Sequence, residues 1–191
     1  MNKIHNLICA SDRWAHRVRD DLIPWGLEDV DLGDDVLELG PGFGATTRLL
    51  VDRVARLTVL ELDEDYCRRL RDEFGARVTV TQGDATALPY PDGRFSAVIC
   101  FTMLHHLDPA PLQDRAFAEV SRVLRPGGLF AGTDSLGQGQ LFRFIHLGDK
   151  LALIDPERLP DRLTAAGLSQ PRVDRSGRSL RFRAVRAVGA V

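Results

Sequence analysis

The chain is poor in lysine: Lys3 and Lys150 are the only two among 191 residues, and every other basic side chain is an arginine. With a formal net charge of −2 there is no long-range positive field to gather nucleic acid or an anionic membrane. The arginines are spread along the chain, which reads as coding bias and not as a recognition face. Cysteine is scarce and odd in number. Cys9, Cys67 and Cys100 are far apart, which excludes a disulfide framework and a C-x-x-C metal site. No apolar run approaches the roughly 20 residues of a spanning helix. The opening M-N-K-I-H-N-L-I-C-A-S-D-R-W lacks the long apolar core of a signal peptide. Repeats and low-complexity tracts are also missing. These absences lead to the expectation of a cytoplasmic protein with no membrane span.

What is present is ordinary globular material, 44% hydrophobic and 27% charged, enough for one domain with a real core. The organising stretch is Val36 to Leu50, V-L-E-L-G-P-G-F-G-A-T-T-R-L-L. A short apolar strand ends in glycines at alternate positions and a helical pattern follows, so strand, glycine turn and helix are expected. Glycines let the backbone approach a ligand, and the new helix offers unpaired N–H groups.

Before this turn, Ser11-Asp12 caps a helix carrying Trp14, Val18 and Leu22 at helical spacing and stopping near Pro24-Trp25-Gly26. After it, the helix is expected to run to about Val54. Strands are expected over Leu57–Leu62, Arg77–Thr81, Phe95–Phe101 and Leu129–Thr133. Helices are expected from Asp63 to Gly75, with Tyr66, Leu70 and Phe74 as its stripe, and over Pro111–Leu124 and Pro156–Ala166. Two last strands, near Pro171–Asp174 and Ser179–Ala187, are too closely linked for a helical crossover, so one of them is antiparallel. The alternation implies an α/β fold: a doubly wound, mostly parallel seven-stranded sheet with helices on both faces. Its parts are a helical cover over residues 1–33, a ligand-binding core over 34–134, and a lid plus the terminal strand pair over 135–191.

Ligands of such sheets lie beyond the carboxyl ends of the strands. Three acids collect there: Glu38 on the first strand, Glu61 on the second and Asp84 just past the third. Singly, each reads as a helix cap or a solvated loop residue. Together with the glycine turn, they describe an adenosine lying across three strands, with one carboxylate accepting from ribose hydroxyls and another from an exocyclic amine.

On these residues the chain resembles the class I S-adenosylmethionine-dependent methyltransferases, of the small-molecule type, over roughly Asp35 to Asp134. E-L-G-P-G-F-G (Glu38–Gly44) is similar to the family's first motif, and V-L-E-L-D (Val59–Asp63) to its ribose-binding strand. G-D-A-T-A-L-P-Y-P-D-G-R-F (Gly83–Phe95) is similar to its adenine loop, and L-R-P-G-G (Leu124–Gly128) to the turn before the fifth strand. The resemblance implies a Rossmann-like methyltransferase fold with S-adenosylmethionine bound by Glu38, Gly40, Pro41, Gly42, Gly44, Glu61, Leu62, Asp84, Ala85, Phe101 and Thr102. S-adenosylhomocysteine would be the product, and no metal is implied. Glu38 would sit near the methionine amino group, directly or through water. Ser96 stands where the family commonly has an aspartate. No N-P-P-Y tetrapeptide follows the fourth strand, which weakens the resemblance to nucleobase amino-methyltransferases.

Two other readings stay open. Gly40-x-Gly42-x-x-Ala45, with Glu61 twenty-one residues after Gly40, also satisfies a dinucleotide fingerprint and so allows an NAD(P)-dependent oxidoreductase. A non-catalytic S-adenosylmethionine-binding protein is the third. If the reaction uses a base, His106 is the choice over His105, although adjacent histidines after a strand also fit packing and solvation. Trp14 and Trp25, with the apolar Gln138–Ile154 stretch (Leu141, Phe142, Phe144, Ile145 and Leu147 around His146), suggest a cover for a small, partly hydrophobic acceptor. That stretch equally fits a core helix or a homodimer contact. Six arginines between Arg172 and Arg186 allow an RNA-contacting ribbon, but a solvated, charge-blunted edge fits better, and nucleic acid is not the expected partner.

Overall fold

The structure, a computed structural model, describes residues 3–139, 142 and 146–188. Strands β1 (Asp35–Leu39), β2 (Arg56–Glu61), β3 (Thr79–Gln82), β4 (Phe95–Phe101), β5 (Leu124–Ser135), β6 (Leu168–Ser176) and β7 (Ser179–Arg186) form one sheet in the order β3-β2-β1-β4-β5-β7-β6. The first five are mutually parallel, and β7 runs antiparallel to both β5 and β6. The strand order reverses between β1 and β4, and that is where the glycine turn lies.

The parallel strands are apolar on both sides because each side has a cover. Successive residues go to opposite faces. Val36, Val59 and Ile99 join one cluster with Leu50, Leu70, Phe74 and the N-terminal Val18, Leu22 and Ile23. Leu37, Leu60 and Val98 join the other with Phe117, Phe130, Leu159 and Phe182. The first cover is made by helices α1 (Lys3–Cys9), α2 (Asp12–Arg17), α3 (Ile23–Gly26), α4 (Thr47–Leu50) and α5 (Glu64–Phe74). The second is made by α6 (Ala110–Val123) and α7 (Leu159–Ala165).

Local chemistry accounts for the boundaries. Ser11 accepts from the Trp14 N–H at the start of α2. The expected single helix onward to Gly26 widens into a π turn over Val18–Leu22, where Ile23 N–H reaches back to Val18 O. The next residue, Pro24, has no N–H to continue an ordinary ladder. Helix α4 is shorter than expected: beyond Leu50 the chain tightens, with Arg53 N–H bonding Leu50 O at 2.8 Å. Asp63 caps α5 through the Asp65 N–H at 2.8 Å, and Gly75 ends it at φ 55°. The buried stripe of α5 is Cys67, Leu70 and Phe74, with Tyr66 turned aside. Strand β5 begins earlier than expected. The Arg125–Gly128 segment is taken into it as an irregularity, so that Leu124 pairs Phe95 while Leu129 pairs Ala97. Ser96 works as a tie: its hydroxyl donates to Leu32 O at 2.7 Å and accepts from Asp35 N–H at 3.0 Å, fixing the acidic loop that delivers β1.

Among the described glycines the most confined is Gly132, between β4 and β5, where a Cβ would overlap the Cys100 carbonyl oxygen. Gly132→Ala should therefore destabilise the protein by about 3 kcal/mol, lowering Tm by roughly 6–12 °C. Gly177→Ala, whose Cβ meets nothing within 4 Å although φ is 56°, should cost only about 1 kcal/mol. Calorimetric melts of the two variants check the contrast; equal losses would contradict the close approach.

Candidate active site

A cavity of about 640 Å³ opens along the carboxyl ends of β1, β2, β3 and β4. Gly40, Pro41, Gly42 and Phe43 line it from the turn after β1; Leu60 to Asp63 from β2; Gly83 to Ala85 after β3; and Phe101 to Met103 after β4. Of the residues expected at the site, Gly40, Pro41, Gly42, Glu61, Leu62, Asp84, Ala85, Phe101, Thr102 and His106 are brought to this one cavity. Glu38 and Gly44 do not line it.

The turn exposes backbone. Gly40 and Gly42 have φ of 63° and 53°. A Cβ on Gly42 would meet nothing within 4 Å, so the main chain itself forms the wall there, and a ligand can lie against it. Gly44 serves packing instead. A side chain at its position would press on Leu70 and Phe74, so glycine lets the turn settle on α5.

Glu61 is 8% exposed, and its carboxylate is held by main-chain donors. One oxygen accepts from Gly42 N–H at 3.0 Å. The other accepts from Leu62 N–H at 2.8 Å and Asp63 N–H at 3.1 Å. Two oxygens offer about four lone-pair sites, so capacity remains for hydroxyls in the cavity. Asp84 is exposed at the far end of the same edge and is fixed by Thr86 N–H at 2.8 Å. Thr102, a β-branched residue at φ 53°, is held in this unfavourable conformation by its N–H donating to Thr133 O at 2.8 Å.

Glu38 lies beneath the turn, 2% exposed, with Thr47 Oγ1 donating to it at 2.7 Å. Burial pushes its carboxyl up to about 8, with a smaller push from the Glu61 carboxylate, while the Thr47 hydrogen bond pulls the other way. Any influence on a ligand amino group from there passes through the turn.

Ile8, Cys9 and Trp14 also line the cavity, and so do Leu107, Phe142 and three clustered histidines, His105, His106 and His146. His105 is 2% exposed; its Nδ1 lies 2.5 Å from Oδ1 of the fully buried Asp134. A carboxylate only accepts, so Nδ1 is the donor of this pair. His146 Nδ1 lies 2.9 Å from the Phe142 carbonyl oxygen. Its imidazole is held below the usual range, chiefly by burial. Sequence reading placed His106 here but missed the His105–Asp134 pair. Asp134, at the end of β5, reads in sequence as a strand terminus, and only the parallel β4–β5 pairing sets it beside His105. Of the expected cover, Leu141, Phe144 and Ile145 lie outside the described residues, and Leu147 is 71% exposed. Trp25 does not line the cavity; its ring lies under Arg181, which also pairs Glu28 and Asp174 at 2.7 and 2.8 Å. Tyr66 lines the cavity and donates to Asn6 Oδ1 at 2.9 Å, joining α5 to α1.

Residues 36–128 match a family model described as a methyltransferase domain. A fatty-acid O-methyltransferase of Mycolicibacterium smegmatis is 41% identical over 108 residues, 54% of this chain and 38% of the relative. A ribosomal RNA small subunit methyltransferase A of Cupriavidus pinatubonensis is 46% identical over 74 residues, 37% of this chain and 27% of the relative. This chain therefore spans well under half the length of either. Among solved structures, a chain of the complex between the Haloferax volcanii Trm112 methyltransferase activator and a methyltransferase superposes with a TM-score of 0.76 at 16% identity, covering 98% of this chain and 100% of that one. At that identity the likeness shows the fold alone.

Glu38 gives the site a signature that needs no ligand. The folded protein keeps this proton to about pH 8, whereas an unperturbed glutamate loses it near 4.5. Between those values the native state binds more protons, so this group's contribution to stability is complete below pH 4.5 and is lost as pH rises through 8. Glu38→Gln should remove that slope, gaining on the order of 3 kcal/mol over wild type between pH 5 and pH 8. Denaturant unfolding at both pH values checks it; parallel curves for the two proteins would contradict the buried, protonated carboxyl.

Proposed function

We propose that this chain, whose residues 36–128 belong to the class I S-adenosylmethionine-dependent methyltransferase family, methylates a small, partly hydrophobic acceptor. The observation that carries the reading is the Glu61 carboxylate, pinned by Gly42, Leu62 and Asp63 N–H groups on the wall of the cavity shared with Asp84.

The residues present fit the donor. The bare main chain at Gly42 gives the methionine portion a surface to lie on, and Glu61 accepts from ribose hydroxyls. Asp84 accepts from the adenine amine while Ala85 borders the ring. Asp84 on the loop after β3, which a dinucleotide fingerprint does not call for, speaks against the dinucleotide reading. When bound, the donor supplies an electrophilic methyl carbon open to in-line displacement. What the chain itself contributes is then positioning, which can be worth several kcal/mol of barrier. Thr102 and Met103, at the end of β4, line the cavity and lead in the chain to the Leu104–His106 turn. Trp14, Leu107 and Phe142 give the acceptor half apolar walls that exclude water.

A small acceptor is favoured over RNA for two reasons. One cavity of about 640 Å³ must serve donor and acceptor together. The arginines of the last strand pair are also partly committed: Arg175 to Glu157, Arg181 to Glu28 and Asp174, and Arg186 to the Leu124 carbonyl. The fatty-acid relative points the same way. The domain division into cover, core and acceptor side, together with His106 at the acceptor wall, belongs to this proposal.

Glu61→Ala should weaken S-adenosylhomocysteine binding about 10- to 100-fold, the loss expected for hydrogen bonds to a charged acceptor, as read by calorimetry. Undiminished affinity would overturn the ribose assignment. With labelled donor, apolar carboxylic acids and phenols should take up methyl groups and ribosomal RNA should not; labelling of RNA alone would reverse the acceptor assignment.

A further inference from the structure

We propose that His105, His106 and His146 form a divalent transition-metal site at the acceptor end of the cavity. One ligand-competent atom of each lies within 4.8 Å of the others. The rings of His105 and His106 are 4.2 Å apart, and the His146 ring lies 5.3 and 5.5 Å from them.

Two independent features distinguish this cluster from histidines packed by chance. The first is orientation by outer partners. His105 donates a hydrogen bond from Nδ1 to the buried Asp134 carboxylate, and His146 points Nδ1 at the Phe142 carbonyl. Metal-ligating histidines are commonly fixed in this way, by a carboxylate or carbonyl on the nitrogen away from the ion, which sets the tautomer and raises ligand basicity. The second is His105 Nε2, a buried nitrogen with no hydrogen-bond partner among the described residues. Burying such an acceptor unsatisfied is costly, and a cation would satisfy it.

The surroundings define the class of ion. Three imidazoles, joined in the cluster by no carboxylate among the described residues, suit Zn²⁺, Co²⁺, Ni²⁺ or Fe²⁺ better than Mg²⁺ or Ca²⁺, which take oxygen ligands. Zinc–imidazole distances of about 2.0–2.1 Å require the three nitrogens to draw together by rotamer-scale movement. Three protein ligands leave a fourth position open, the pattern of catalytic and not structural zinc sites. All three histidines line the cavity, so an open position there would take an acceptor hydroxyl, carboxyl or thiol. A coordinated hydroxyl releases its proton to water, its oxygen forms the new bond to the methyl carbon, and the carbon–sulfur bond of the sulfonium breaks to leave a neutral thioether. The ion thus supplies the activation that a histidine base would otherwise provide.

Placing the acceptor there rests on the methyltransferase reading, but the test of the metal does not use the donor. Co²⁺ is titrated into the full chain, freed of metal by chelation, and followed by visible absorption, with Zn²⁺ as competitor. The expected result is one Co²⁺ per chain with the intense bands of a four- or five-coordinate site, displaced by one Zn²⁺. Asp134→Asn should weaken Zn²⁺ about 10- to 100-fold. His146→Ala, at a residue packed against the cavity and not in the sheet, should abolish the cobalt bands while S-adenosylhomocysteine affinity stays within about twofold of wild type. The metal site is overturned if no bands appear, or if they survive both His105→Ala and His146→Ala. Those outcomes leave a proton-transferring His105–Asp134 pair in place of the ion, and the donor reading stands or falls on its own titration.

Discussion

The contact on which the rest of this site depends is the carboxylate of Glu61 held by the N–H groups of Gly42, Leu62 and Asp63. It joins the end of β2 to the turn after β1, and so fixes two walls of the cavity. The contact needs several sequence features at once. The turn needs glycines, since φ of 63° and 53° at Gly40 and Gly42 would strain other residues. The strands need parallel register, which sets Glu38 beside Val59 and Leu39 beside Leu60 and so aligns their ends. Asp63 must also start α5 immediately, since its capped turn directs the Leu62 and Asp63 N–H groups back toward Glu61.

Much of this arrangement was legible in the sequence because it depends on local rules. The apolar run Phe95–Phe101 reads plainly as a buried strand, and the alternate glycines and strand-end acids, ambiguous singly, point to one ligand edge when taken together. The sheet, its antiparallel strand and most of the residues named for the site came from those rules and from the family resemblance they support. What was not legible depends on tertiary geometry. Glu38 alternates away from the cavity, toward Thr47, and the glycine motif does not reveal on which side of the turn it falls. Asp134 looks like any strand-ending acid until β5 lies beside β4. The π turn over Val18–Leu22 preserves the expected burial of Val18 and Leu22 while changing the backbone, which a 3.6-residue pattern does not register.

Two walls of the cavity differ in their physics. The wall at the glycine turn is main chain and carboxylate, built on the sheet edge. The histidine wall is imidazole and apolar side chains, built on short turns: Leu104–His106 after β4 and His146–Gly148. These turns are tied down by Gln113, whose amide donates to the carbonyls of Leu104 and Ala152, and by Ala152 N–H bonding His105 O at 2.9 Å. The matched family region, residues 36–128, contains Gly40, Gly42, Glu61, Asp84, His105 and His106 and does not reach Asp134 or His146.

The central claim is that the glycine turn, Glu61 and Asp84 together select S-adenosylmethionine over a dinucleotide. Its most direct test is calorimetric titration of S-adenosylhomocysteine and of NAD into the same preparation of the full chain. The account predicts one S-adenosylhomocysteine bound per chain and no heat from NAD at equal concentration. Saturable NAD binding with none for S-adenosylhomocysteine would contradict it.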